Sequence, residues 1–257
     1  MVRHQRMSVL ADVQEYLARH LPAGSRLVID SNAERPFSDA ELQQLRSAEF
    51  RLSDGAAPVR IRDFTRGRLA AHEAVQRLGE PAPHGIGMST TGAPLWPRGV
   101  VGSISHCDGA VAAVSASAEQ LQGIGIDVEV EQTLELGIIE AVLRTDEARL
   151  DPLVQFSAKE SMYKLWEPIV GQWLDFDEVS VQLRKKRIAA RGFSRGLTGG
   201  PLQLTFHREI PDAFCGVKGF WARGAGIVAT AVWLVQAELL ENLSLFCSVQ
   251  SHVNLTP

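Results

Sequence analysis

Apolar residues recur along this chain with two different spacings, and each spacing predicts a kind of element. Helical spacing predicts one helix over residues 8–20, behind Ser8 as a candidate N-cap, and another from Arg60 to Gly79. Alternation, or a short run rich in β-branched residues, is typical of a strand. Strands are predicted at residues 26–30, 100–106, 110–116, 123–130, 178–183, 202–206, 219–222 and 226–234.

Turn and capping residues divide the rest of the sequence. The Asp-Gly pair at 108–109 predicts a hairpin turn, and the Pro- and Gly-punctuated residues 81–97 are predicted as a loop. Residues 38–41 and 157–160 both have the Ser-x-x-Glu spacing of a capping box, which predicts a helix start at each. Residues 133–150 are predicted to be a polar helix.

The predicted strand over residues 123–130 carries two carboxylates, Asp127 and Glu129, within an apolar run. Because side chains alternate along a strand, both point to one face with Cβ atoms about 6–7 Å apart, while Ile126 and Val128 point to the other. Carboxylates this close repel each other unless a cation lies between them, and oxygen ligands favour Mg²⁺. An exposed edge strand has the same alternation, so the pattern alone leaves both interpretations open.

Glu160 and Lys164 stand four residues apart on one face of the helix predicted around residues 156–166, with Lys159 beside them. Three interpretations remain open for this group. Glu160 is a capping residue, or it forms a surface salt bridge with Lys164, or it is a third metal ligand with Lys164 as a nearby cation. The third requires the helix to point its start at the carboxylate strand.

Four arginines lie within nine residues at the entry of an earlier predicted helix: Arg60, Arg62, Arg66 and Arg68. A guanidinium group suits phosphate because it is planar, bidentate and always charged, although a solvated helix face has the same composition. His106 ends the first arm of the predicted hairpin.

Composition excludes several classes of protein. The chain has 257 residues, of which 45% are hydrophobic and 22% charged, which is typical of a soluble globular protein. A net charge of −4 argues against a general nucleic-acid binder. The sequence shows no signal peptide and no apolar run of about 20 residues, so we expect no membrane span and a cytoplasmic location. The three cysteines are widely spaced without a CxxC pair, which fits a reducing compartment.

Five stretches occur in the order and spacing of one known family. They are residues 60–79, Pro94-x-Trp-Pro97, Gly102-Ser-Ile-Ser-His106, Gly125-Ile-Asp-Val-Glu129 and Phe156-Ser-Ala-Lys-Glu-Ser-x-x-Lys164. Together they resemble the monomeric, Sfp-like 4'-phosphopantetheinyl transferases, and within these the subgroup that activates enterobactin-type siderophore synthetases. The resemblance covers about residues 58–235.

The resemblance implies an activity. Such an enzyme transfers the phosphopantetheine arm of coenzyme A to a serine of an apo acyl, aryl or peptidyl carrier protein and releases adenosine 3',5'-bisphosphate. It implies Mg²⁺ held by Asp127, Glu129 and Glu160, with Lys164 at the pyrophosphate. Glu160, Lys164 or a metal-bound water is the candidate base.

The resemblance also implies contacts to the phosphates of coenzyme A. Arg60 and Arg68 match phosphate-gripping positions, and His106, with Ser105 beside it, matches a contact to the 3'-phosphate. One position departs from the family pattern, because Thr91 stands where relatives commonly carry Lys or Arg. This departure motivates the alternative of a degenerate paralogue that binds coenzyme A or a carrier protein without turnover. A Mg²⁺ phosphohydrolase has no signal of its own.

The fold implied is α+β, with two similar α/β halves related by a pseudo-twofold and the active site in the cleft between them. The expected division is 1–120 for the half with the coenzyme A phosphate contacts, 121–235 for the half with the metal and catalytic motifs, and 236–257 for a tail. A monomer is expected, without nucleic-acid or membrane partners. Basic residues at 184–187 are either a docking patch for an acidic carrier protein or a solvated loop.

Overall fold

The structure is a computed structural model that describes residues 2–30, 36–38, 57–80, 85–107, 109–147, 150–184, 186–187 and 196–236. The helices are α1 (Val2–His20), α2 (Pro58–Arg77), α3 (Leu136–Val142) and α4 (Pro152–Val170). The strands are β1 (Arg26–Asp30), β2 (Gly87–Met88), β3 (Pro94–Leu95), β4 (Val100–Cys107), β5 (Ala110–Ser117), β6 (Leu121–Val130), β7 (Val179–Leu183), β8 (Lys186–Arg187), β9 (Thr198–Phe206), β10 (Lys218–Gly224) and β11 (Ile227–Val235). Short 3₁₀ helices lie at Thr145–Glu147, Phe176–Glu178 and Asp212–Gly216.

Two antiparallel sheets share one connectivity. The first has the strand order β1-β5-β4, and the second has β6-β11-β10-β9-β7, with β8 paired to β9. In each sheet a first strand pairs with the second arm of a hairpin (β4 and β5, or β10 and β11), and one long helix, α2 or α4, packs on that sheet. This repeated arrangement of strand, helix and hairpin is what two similar halves require. The predicted α+β class is confirmed.

The two sheets share one apolar core, and each long helix covers a separate face. Leu17 of α1, Val114 of β5, Ile126 of β6 and Ala231 of β11 belong to the shared cluster. Helix α2 packs on the first sheet through alanines and Val75, and α4 packs on the second through larger side chains that include Met162 and Trp166. The shared core therefore joins the first sheet to the second.

Glycines allow α4 to approach β6 closely. Strand alternation places residues 123, 125, 127 and 129 on the face toward α4, because Ile124, Ile126 and Val128 fill the shared core on the other face. A Cβ atom on Gly125 would lie 2.0 Å from the backbone oxygen of Ser161, so only glycine fits there. The close contact brings the end of β6 that carries Asp127 and Glu129 beside the first half of α4.

Several predicted elements are confirmed, and others are corrected. The predicted strands and the central hairpin are present. Ser8 is not an N-cap, because α1 begins at Val2. The capping box at residues 157–160 is also wrong. The N-cap of α4 is Asp151, six residues before Ser157; Pro152 is pre-set for a first turn, and the Asp151 side chain accepts a hydrogen bond from the Val154 N–H.

Two predicted segments are more varied than expected. Residues 133–150 were predicted to be one helix, but among those of them that the structure describes only Leu136–Val142 and the 3₁₀ turn Thr145–Glu147 are helical. The loop predicted at 81–97 contains the two-stranded pairing of β2 with β3, which turns through Gly92 at a positive φ of 92°. Two-residue strands give no periodic signal, so the pattern alone did not find them.

Some predictions fall on residues that the structure does not describe. The capping box at 38–41 is described only at Ser38, the loop after Arg187 is not described up to residue 195, and of the predicted tail only Gln236 is described. Within the described ranges, no helix has both the length and the apolar character needed to cross a membrane.

Candidate active site

Three polar side chains meet where the first sheet touches the second. The Ser105 Oγ on β4 donates a hydrogen bond to the Asp127 Oδ1 on β6 at 2.7 Å. The Lys164 Nζ on α4 donates to both atoms, at 2.6 Å to Asp127 Oδ1 and 3.0 Å to Ser105 Oγ. The Val128 N–H also donates to Ser105 Oγ at 3.3 Å. One hydroxyl of the first sheet is therefore held by the carboxylate strand and by the helix of the second.

Two further carboxylates, Glu129 and Glu160, lie within electrostatic reach of Asp127. Burial, more than any other cause, raises the pKa of Glu129 to about 8. The negative charges of Asp127 and, to a smaller extent, Glu160 raise this pKa further, and the positive charge of Lys164 lowers it. Burial likewise raises the pKa of Glu160, against the charge of Lys164 and with that of Asp127. The Cys107 thiol beside them has its pKa raised to about 12 by burial and then by the charge of Glu129. The site has an excess of negative charge.

The donor set suits a hard cation, although the carboxylates are not closed around one. Within the described ranges no three His, Cys, Asp or Glu side chains converge closely enough to hold a metal ion. The Asp127 Oδ2 is buried and has no hydrogen-bond partner, while its other oxygen is engaged by Lys164. A buried carboxylate oxygen without a partner is unfavourable. A divalent cation that binds oxygen ligands would satisfy it and offset the raised pKa of Glu129, so the residues present fit the predicted ion.

The structure brings together Ser105, Asp127, Glu129, Glu160 and Lys164. The interpretation of β6 as a merely exposed edge strand is wrong at Asp127, which is only 2% exposed. The interpretation of Glu160 and Lys164 as a surface salt bridge is also wrong, because Lys164 pairs with Asp127.

The predicted phosphate contacts lie in different environments. Arg60, in the first turn of α2, and His106, near the end of β4, are exposed. Arg68 is only 4% exposed; its Nη2 donates to the Gly87 carbonyl at 3.1 Å, and its guanidinium stacks on the Phe64 ring. Thr91 is exposed in the turn between β2 and β3, and its hydroxyl lies 2.7 Å from that of Ser89. Arg68 therefore touches the same small hairpin that carries Thr91 at its turn.

Lys159 has a different place from the one its motif suggests. It points away from the carboxylates into the interior, where its Nζ donates to the Glu147 carboxylate at 2.6 Å and to the carbonyls of Val142 and Phe176. Glu147 in turn accepts from the N–H groups of Val181 and Arg144. This buried ion pair fixes the chain after α3 against α4. No local spacing in the sequence marks this ion pair, because Glu147 and Lys159 stand 12 residues apart.

Comparisons with known proteins bear on this geometry. Residues 48–116 match the family model described as the 4'-phosphopantetheinyl transferase N-terminal domain, and residues 123–210 match that of the 4'-phosphopantetheinyl transferase superfamily. A transferase of this name from Streptomyces mobaraensis, Svp, is 36% identical over 190 residues, which are 69% of this chain and 73% of the relative. The chain belongs to the 4'-phosphopantetheinyl transferase superfamily. The resemblance is confirmed.

Two further relatives agree with that assignment. The 4'-phosphopantetheinyl transferase Npt from Nocardia iowensis is 42% identical over 144 residues, which are 52% of this chain and 64% of the relative. Enterobactin synthase component D from Salmonella typhi is 34% identical over 162 residues, which are 58% of this chain and 66% of the relative. The predicted transferase activity and the enterobactin-type subgroup are supported, and none of these matches favours a degenerate paralogue.

Proposed function

We propose that this transferase moves the 4'-phosphopantetheine arm of coenzyme A to a serine of an apo acyl, aryl or peptidyl carrier domain, with Mg²⁺ as its metal. The observation that carries the proposal is the group of Ser105, Asp127 and Lys164 at the contact of the two sheets, with Glu129 and Glu160 beside it. In the reaction the serine oxygen bonds to the β-phosphorus, and the bond from that phosphorus to the bridging oxygen breaks. Adenosine 3',5'-bisphosphate leaves.

Glu160 is the proposed base that takes the proton of the attacking serine. Its raised pKa brings the carboxylate closer to the pH at which it works, and a base is most efficient when its pKa lies near that pH. Lys164 is the proposed cation at the pyrophosphate. Its side chain is one quarter exposed, so it reaches solvent while its ammonium contacts Asp127.

Asp127, Glu129 and Glu160 are the residues proposed to hold Mg²⁺. When bound, this ion neutralises charge that builds on the pyrophosphate. The chain contributes the oxygen atoms, and β6 presents two of them from one face at a spacing that a strand fixes. Ser105 keeps Asp127 oriented from the opposite sheet.

Arg60 and His106 are the proposed direct contacts to the phosphates of coenzyme A, since both are exposed. Arg68 supports the β2–β3 hairpin through one donor of its guanidinium, and it remains a proposed contact to a phosphate of coenzyme A through the others. Coenzyme A would lie between residues 1–120 and 121–235, the two proposed halves. A cytoplasmic monomer, and a role for residues 184–187 in docking an acidic carrier, stay predictions.

Intact-protein mass spectrometry tests the proposal directly. The full chain is incubated with coenzyme A, Mg²⁺ and a set of apo carrier domains, and the expected result is the gain of one phosphopantetheine arm on at least one carrier. EDTA should prevent this gain, and added Mg²⁺ should restore it. No gain on any carrier, with coenzyme A still bound, would contradict the proposed transfer, whereas a gain that EDTA leaves intact would contradict only the metal.

A pair of variants tests the base. Glu160→Gln keeps the size of the side chain but cannot take a proton, so we expect the rate to fall by about 10²–10⁴-fold. Glu119→Gln changes an exposed carboxylate between β5 and β6 and should keep the wild-type rate. If Glu160→Gln turns over normally, Glu160 is neither base nor essential ligand.

A further inference from the structure

Three buried hydroxyl groups join α4 to the second sheet beside the active site. The Thr230 Oγ1 on β11 lies 2.9 Å from the Ser157 Oγ and 2.6 Å from the Ser161 Oγ, and it donates to the Ser157 carbonyl at 2.8 Å. The Ser161 Oγ also donates to the Thr230 carbonyl at 3.0 Å. All three side chains are completely buried. Every hydroxyl in this cluster has a partner in it.

The cluster lies directly next to the site. Thr230 pairs with Asp127 across the β11–β6 ladder, so the two side chains stand on one face about 5 Å apart at their Cβ atoms. On the helix, Ser157 and Ser161 flank Glu160, and Ser161 precedes Lys164 by three residues. The backbone of Ser161 also makes the close contact over Gly125. Two successive turns of α4 therefore carry both the hydroxyl cluster and the active groups.

Stability alone does not explain three hydroxyls at this place. Apart from Asp127, the neighbours on this face include Val228, Val232 and Met162, which are apolar and fully buried. Replacing a buried, fully paired polar network by apolar groups of similar shape is often neutral or stabilising. Hydrogen bonds are directional, whereas apolar contacts are not. The hydrogen bonds to the side chain and to the backbone of Thr230 therefore define the translation and rotation of α4 relative to β11, whereas apolar side chains allow several packings.

We propose that Thr230 is a positioning residue for the transfer reaction. With Ser157 and Ser161 it fixes the register of α4 against β11 and thereby the places of Glu160 and Lys164 relative to Asp127. Thr230 touches no reacting atom. The inference rests on the proposed roles of Glu160 and Lys164, and displacement of such groups by about 1 Å lowers a rate by as much as about 10²-fold.

The first experiment compares two substitutions of Thr230 by steady-state kinetics on a carrier that the wild-type enzyme modifies. Thr230→Val keeps the shape but removes the hydroxyl. We expect kcat to fall at least about tenfold, with the KM for coenzyme A and for the carrier unchanged within about twofold, because the groups that bind substrates remain. Thr230→Ser keeps the hydroxyl and should retain most of kcat.

A fully apolar variant separates positioning from stability. In Thr230→Val alone, the Ser157 hydroxyl and the Ser157 carbonyl lose their contact with Oγ1, while the Ser161 hydroxyl keeps only the backbone carbonyl of residue 230, so the thermal midpoint should fall. The variant that also carries Ser157→Ala and Ser161→Ala has no unpaired hydroxyl and should regain that midpoint, but its kcat should stay low. Ser180→Ala, which removes a buried hydroxyl of β7 that contacts His207, is the matched control and should keep the wild-type kcat.

The outcomes distinguish failure of this inference from failure of the proposed function. If kcat recovered together with the thermal midpoint in the apolar variant, the proposed positioning role of Thr230 would be wrong, because activity would then follow stability alone. A normal kcat in Thr230→Val would overturn it as well. If wild type transfers the arm and Glu160→Gln does not, the proposed function stands in either case.

Discussion

Ser105 is the residue whose structural role differs most from the role that its motif implied. The motif implied a contact to coenzyme A, but the hydroxyl is buried between Asp127 and Lys164. Ser105→Ala should therefore lower kcat about tenfold, which corresponds to an activation free energy higher by about 1.4 kcal/mol. The KM for coenzyme A should stay unchanged. Ser103→Ala, a buried serine two residues earlier on β4, should change neither constant. If instead Ser105→Ala raised the KM for coenzyme A and left kcat normal, Ser105 would be a contact to coenzyme A, as the motif implied.

Lys159 and Glu147 allow a test of stability at the same scale. Lys159→Met leaves the Glu147 carboxylate buried without its counter-charge, so unfolding in urea should show a loss of about 3–5 kcal/mol. Adding Glu147→Gln should recover part of the loss, because an amide still accepts from Val181. Lys218→Met on the surface is the control and should change little. Equal effects of both lysine substitutions would argue that the buried pair is unimportant.

Single residues were predictable from sequence only where a short spacing placed them together. Asp127 and Glu129 share a strand face, and Glu160 and Lys164 share a helix face, so local periodicity was enough. Ser105, Thr230 and Glu147 were not found as members of these networks. Their partners lie 12 to 73 residues away in sequence, and only the packing of elements brings them into contact.

At the scale of elements, the close approach of α4 to β6 depends on Gly125. In Gly125→Ala the added Cβ atom would meet backbone atoms of Ser161 and Leu165, which cannot rotate away. The helix must move, and Glu160 and Lys164 move with it, so we expect kcat to fall about 10²-fold. Gly137→Ala places a methyl group in open space on α3 and should stabilise by about 0.5–1 kcal/mol without a change in kcat.

Asp151 controls the start of α4, and its effect should depend on pH. Burial alone would raise the pKa of Asp151, but the hydrogen bonds and charge of Arg223, with the N–H groups of Val154 and Leu153, lower it overall. A lowered carboxyl pKa stabilises the fold above the unfolded pKa of about 3.9, and this stabilisation is lost as the pH falls through the lower folded value.

Two variants separate the cap of α4 from the charge of Asp151. Asp151→Asn keeps a good N-cap and loses the charge, so it should remove the contribution of Asp151 to the fall of the thermal midpoint below about pH 4. Asp151→Ala should lose about 1 kcal/mol more, because no side chain then accepts from Val154. Equal midpoints for the two variants at neutral pH would mean that the cap contributes nothing.

For the whole molecule, the long helices and strands followed from periodicity, whereas the α+β class was implied by the resemblance to the family. The start of α4 was misplaced, since Ser157 has the spacing of a cap while its hydroxyl is used by Thr230. The β2–β3 hairpin was missed because two-residue strands have no period. The joining of two sheets by one core has no local signal either, because its members come from α1, β5, β6 and β11.

That shared core predicts that the proposed halves, 1–120 and 121–235, unfold together. Leu17 on α1 is completely buried in the cluster that contains strands of both sheets. Leu17→Ala should reduce the free energy of unfolding by about 2–5 kcal/mol. Hydrogen exchange followed by mass spectrometry should then show faster exchange in β5 and in β11 by the same factor, because the amides of both strands exchange through one global opening.

Leu136→Ala, at a side chain 70% exposed, is the control and should leave the exchange of β5 and of β11 unchanged. Faster exchange confined to β5 would mean that the halves open separately, and the active site between them would then lose Ser105 before it loses Asp127 and Lys164.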